Sequence, residues 1–101
     1  NQITIQDSFL AEVSSEVDFN LFFHFSSSTF TDKDNLQKGV SSGYPYHFEI
    51  SPEFTSKLHF GGENSLGWEV SEYGKRIPSP TIELSSTNVI PCAFKTSLEF
   101  I

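Results

Sequence analysis

The chain has 101 residues, about one domain's worth, and its eleven Phe within a 37% hydrophobic composition supply a core where Leu is scarce. Six Lys and Arg against 13 Asp and Glu leave a net charge of −7, which repels a phosphate backbone and argues against a nucleic-acid reader. No apolar run approaches the roughly 20 residues that cross a bilayer as a helix, so no membrane partner is expected; no basic flank precedes an apolar stretch at the amino end, and the lack of any Met leaves a processed amino terminus open.

In chain order, Ile3 and Ile5 open a strand candidate. Asp7 and Ser8 are helix-capping residues, and Phe9, Leu10, Val13 and Val17 fall on one helical stripe. A short helix over roughly 8–15 is favoured there, with a strand as the alternative. The strongest pattern follows: Val17, Phe19, Leu21, Phe23 and Phe25 alternate with polar residues, the period of a strand packed on a core. Phe22, on the opposite face, suggests cover on both sides. Thr31 to Lys38, closed by Gly39, reads as a one- or two-turn helix in a connection.

Period-two alternation then recurs in Tyr44, Tyr46, Phe48 and Ile50; in Phe54, Leu58 and Phe60; in Leu66, Trp68 and Val70; in Ile82 and Leu84; and in Cys92, Phe94, Thr96, Leu98 and Phe100. Breaks rich in Ser, Gly and Pro separate these runs at 26–28, 41–43, 61–64, 73–76 and 78–80. Six or seven strands with short spacings predict a mainly β fold: one domain, 1–101, an antiparallel sandwich or open barrel with one or two short helices. Phe19, Leu21, Phe23, Phe48, Leu58, Trp68 and Phe94 are its expected core, with Tyr44 and Tyr46 in phase with the inward row and Tyr73 exposed in a turn.

If successive runs form hairpins, Phe48 faces Leu58 and Tyr46 faces Phe60 inside, while Glu49 meets Lys57 and His47 meets His59 outside. The next hairpin sets Leu58 against Trp68, Phe60 against Leu66 and Lys57 against Glu69. A return through Pro78 would pair Trp68 with Leu84 and place Glu83 opposite Glu69, a like-charge contact that a sheet tolerates only if the face is meant to be acidic.

Catalytic motifs are lacking. His47 and His59, paired outside with Glu49 nearby, would be a zinc site of irregular spacing or a two-histidine acid–base site with Lys57, and neither is supported by a tight motif. Asp32, Asp34 and Asn35 open like a calcium loop, but Leu36 and Lys38 stand where ligands belong. Thirteen carboxylates give no means of choosing a glycosidase pair, and the Gly-rich turns lack phosphate-loop spacing. Cys92, the only cysteine, excludes an internal disulfide and reads as a small buried apolar residue in a reducing, cytoplasmic compartment. No Asn-x-Ser/Thr sequon occurs.

The expectation is therefore a non-catalytic binding protein without cofactor or metal. An acidic face of Glu49, Glu69, Glu72 and Glu83, with Tyr73 beside it, suits a basic protein partner, because complementary fields speed association. An immunity or antitoxin protein that occludes a basic toxin such as a nuclease fits this best. The alternative is a β-sandwich surface module: an adhesin, pilus, carbohydrate-binding or virion structural domain. Oligomeric state is left open.

Overall fold

In the computed structural model, residues 2–10, 14–62, 66–70, 74–90 and 92–101 are described. Ten strands run through them: β1 Gln2–Phe9, β2 Ser15–His24, β3 Thr29–Thr31, β4 Lys38–Ser41, β5 Tyr44–Glu49, β6 Thr55–Phe60, β7 Trp68–Val70, β8 Arg76–Pro78, β9 Pro80–Ile90 and β10 Cys92–Phe100. They form an antiparallel β-sandwich. One sheet has the order β1-β10-β5-β4-β3, the facing sheet β2-β9-β6, and β7 and β8 make a separate two-stranded ribbon.

Alternation places the core as expected, and position within the sheet then grades its burial. Ile82 and Leu84, on the central strand β9, are 0% exposed. Tyr46, Phe48 and Phe94, on interior strands of the larger sheet, are also buried. Leu21 and Phe23 on β2 and Leu58 on β6 point inward as predicted, yet they are only half-buried, because an edge strand has no neighbour to shield its outer flank. Of the expected core, Phe48 and Phe94 are buried, as is Phe19 at 8% exposure despite its place on the edge strand β2, whereas Trp68 is half-buried on the ribbon.

Phenylalanine fills the interior in two clusters. At one end Phe94 meets Phe9, Phe19 and Phe54 at ring-centroid distances of 6.0, 5.1 and 4.7 Å. At the other, Phe48 packs edge-on against Phe23 and Phe25 at 5.2 and 5.7 Å, and Phe25 stacks on Tyr46 at 5.6 Å. Tilted and offset pairs of this kind contribute about 0.5–1.5 kcal/mol each beyond their buried area.

Helices are absent among the described residues. Asp32 Oδ1 accepts from the Asp34 amide (2.9 Å) and Asn35 Oδ1 from the Gln37 amide (3.1 Å). These side chains satisfy the amides that a helix at 31–38 would need, so the segment is two successive turns between β3 and β4. In the other expected helix, Ser8 and Phe9 belong to β1 and Ser15 starts β2, while 11–13 lie outside the described residues.

The hairpin register over 44–70 is also overturned. β5 pairs with β10 and β4, whereas β6 pairs with β9, so the five residues 50–54 arch from one sheet to the other. His47 therefore stands opposite Lys38 and Glu99, not His59, and Lys57 stands opposite Glu83, not Glu49 or Glu69. Trp68 pairs with Pro78 rather than Leu84, and Glu69 with Ile77 rather than Glu83. Tyr44 ends in solvent, 68% exposed, beyond the reach of the core.

Candidate functional site

The two sheets do not close on one side. β1 is an edge of the larger sheet and β2 an edge of the smaller, and they lie together with nothing paired to either free flank among the described residues. Between them runs a groove of about 510 Å³ lined by Ile3, Ile5, Phe22, Phe23, His24, Phe25, Phe48, Thr96 and Leu98. The wall is almost wholly apolar. Ile3 and Ile5 stand opposite Leu98 and Thr96 on β10, which puts them on the inward row, yet they remain 58% and 43% exposed. Phe22 on the outer face of β2 is exposed at the rim.

One charge shares that row. Phe9, Asp7, Ile5 and Ile3 alternate along β1, and Phe9 meets the buried Phe19 ring at 4.6 Å, so this row faces the other sheet. Asp7, opposite Phe94, is half-buried, and its carboxylate makes neither an ion pair nor a side-chain hydrogen bond with the described residues. Asp18 on β2, by contrast, accepts from the Thr87 hydroxyl.

The residues expected to form an acidic face are dispersed. Glu49 alternates with the buried Phe48 and Tyr46 and so projects from the outer face of the larger sheet, where it pairs with Ser97. Glu83, between Ile82 and Leu84, projects from the outer face of the smaller sheet, the opposite side of the molecule. Glu69 is on the ribbon, where its Oε2 accepts from the Ser27 amide at 2.9 Å. Hydrogen bonding to Ser27, from its side chain first and its amide second, lowers the pKa of this carboxyl from its ordinary value and ties the ribbon to the β2–β3 turn. Glu72 and Tyr73 lie outside the described residues.

Two of the three histidines are engaged in structure. His59, 8% exposed, donates from Nε2 to Glu83 Oε1 at 2.8 Å. His24 Nδ1 shares a 3.0 Å hydrogen bond with the Thr81 hydroxyl, which is fully buried and offers no nucleophile to a substrate. Among the described residues no three His, Cys, Asp or Glu side chains gather to hold a metal ion. Cys92 is half-buried on β10 opposite Phe9. On the ribbon, the Arg76 guanidinium sits 4.4 Å from the Trp68 ring centre, and Gly67 accepts from the amides of Gly61 and Ser79 at 2.7 and 2.9 Å. A Cβ at Gly67 would lie 2.7 Å from backbone of both Gly61 and His59, so only glycine fits the ribbon's base.

Ile3, Ile5, Phe22 and Asp7 were not singled out as a site from sequence. Their signal was there: two isoleucines alternating in a charge-free run, and a phenylalanine out of phase on a neighbouring strand. No protein-family model matches the chain, and comparison with curated proteins and with solved structures finds no match either.

Proposed function

We propose that this chain is a non-catalytic binding module of the β-sandwich kind, which holds a partner along the open side between β1 and β2. The apolar groove between two free strand edges carries the reading, because a sandwich gains stability by covering such a surface and exposed apolar grooves mark interaction sites. Support for a non-catalytic role is that His24 and His59 are bonded within the sheets and that the Thr81 hydroxyl beside His24 is buried.

Occlusion of a basic toxin is the second reading, favoured by the net charge of −7. It would act through one outer face, with Glu49 or with Glu83, since these point apart. A photo-crosslinking residue placed in turn at positions 5, 49 and 83 separates the two. Capture through position 5 alone supports the open side. Capture through 49 or 83, with none through 5, would replace it with the acidic-face reading.

A further inference from the structure

Resting on the open-side reading, we infer that the partner enters as an extended strand, adding to the free edge of β1 with apolar residues at alternate positions in the groove and a basic residue against Asp7. Strand addition follows from the backbone. β1 is paired on one flank over all eight residues, from Gln2 opposite Glu99 to Phe9 opposite Cys92, without a bulge, so its other flank presents a row of N–H and C=O groups that no strand among the described residues pairs.

Exposed edges are normally blunted by Lys, Pro or a bulge. Gln2 to Gln6 carries none of these. A strand laid beside β1 would send every second side chain inward, at a spacing of roughly 7 Å. Those side chains would fill the space between Ile3 and Ile5 on one wall and Phe23 and Phe25 on the other, which is how pockets for alternate residues confer specificity in strand addition.

Charge selects among occupants. Asp7 continues the inward row past Ile5 and has no cation facing it among the described residues. An incoming strand with Lys or Arg at the matching inward position supplies that cation, and one with Glu or Asp there places like charges together in a half-buried setting. A second copy of this chain is disfavoured as occupant, because each copy brings a net charge of −7.

The test uses labelled peptides of about eight residues, the length of β1, that alternate valine with threonine and carry lysine or glutamate at one inward position. A third peptide repeats the lysine sequence with its edge-facing amides methylated. Fluorescence anisotropy against the intact chain at low salt is expected to show the lysine peptide binding about ten-fold more tightly than the glutamate peptide, with the gap narrowing as salt rises. The methylated peptide should lose binding. Asp7→Asn should bring the two charged peptides together and Asp7→Lys should reverse their order, both variants being checked for a parental circular dichroism spectrum.

Equal binding of the lysine and glutamate peptides, binding by neither, or undiminished binding of the methylated peptide would each overturn strand addition with charge selection. So would concentration-dependent dimers that Ile5→Lys returns to monomers, since a second copy would then be the occupant. If the peptides fail while crosslinking from position 5 still captures a partner, the open-side reading survives and only the strand mode is lost. Should crosslinking from position 5 capture nothing, the module reading fails first.

Discussion

The sandwich has two flanks where its sheets could meet, and it treats them differently. On one, β1 and β2 are eight and ten residues long and stand apart around a groove of about 510 Å³. On the other, the three-residue β3 approaches β6 and leaves about 200 Å³ lined by Thr29, Phe30, Thr31, Lys33, Leu58, Phe60 and Pro80. The closed flank is short and built from threonines that are buried because their hydroxyls are satisfied within their own sheet. Thr31 shares a 3.1 Å hydrogen bond with the Tyr46 hydroxyl, and Thr29 one of 2.9 Å with Ser41. The open flank is long and carries isoleucines that stay exposed across a groove from Phe23 and Phe25. Closure of a sandwich edge thus depends less on apolar content than on whether the polar groups of the edge residues are satisfied within their own sheet.

The largest effect should come from Phe48→Ala, which removes the ring that Phe23 and Phe25 pack against and that floors the open groove. A loss of about 3–5 kcal/mol in urea melts is expected. A loss below about 1 kcal/mol would mean that the open flank contributes little to the core.

Gly39→Ala probes the closed flank. Gly39 stands opposite Tyr46, and a Cβ there would collide with its phenol ring and hydroxyl. Because Tyr46 is buried and bonded to Thr31, it cannot swing aside, and a cost of about 1–3 kcal/mol should follow. Unchanged stability would show that the closed flank yields as easily as the open one.

Titration gives a third contrast. Burial pushes the Tyr46 phenol above its ordinary value of 10.0, against a smaller lowering by its hydrogen bond to Thr31. Since the folded value lies above the unfolded one, its contribution to stability is complete below pH 10.0 and is lost as pH rises beyond it. Urea melts across the alkaline range should fall more steeply for the parent than for Tyr46→Phe, and parallel curves would remove Tyr46 as the cause.

The smallest effect belongs to Ile5→Ser. With Ile5 half in water already, the free chain should change by no more than about 0.5 kcal/mol, although the same substitution should weaken peptide binding in the groove. A large loss of stability would mean that Ile5 is already covered.

Much of the fold was legible because alternation is a local signal. The rows Phe19–Leu21–Phe23, Tyr46–Phe48 and Phe94–Thr96–Leu98 could be assigned to one face without knowing what they would pack on. The short strands β3, β4 and β8 were missed, since three or four residues such as Thr29–Thr31 show too little alternation to stand out from the Ser-rich turns beside them. Helix expected at 31–38 failed because capping residues serve turns equally well, and here Asp32 and Asn35 each close one.

The candidate site was less legible for a different reason. Its parts are distant in sequence, Ile3 and Ile5 on β1 and Phe22 to Phe25 on and just past β2, and no local pattern says that two strands will be edges of facing sheets. That Glu49 and Glu83 belong to different sheets was illegible on the same ground. Glu49 and Glu83 were both read correctly as outward, but outward from which sheet depends on pairing.

What the sequence determined by itself was the period-two pattern, and with it a mainly β chain, the inward rows and the absence of charge along Gln2 to Gln6. Tertiary structure decided which strands pair, where the sheets part and which inward residues end half-buried. The physical reason is that alternation orients side chains about a strand's own axis and is indifferent to its neighbour, while a connection of five residues such as 50–54 can turn back within one sheet or arch to the other. Only the packing of whole sheets, with Ile82 and Leu84 sealed at the centre and Ile3 and Ile5 left at the edge, distinguishes those outcomes.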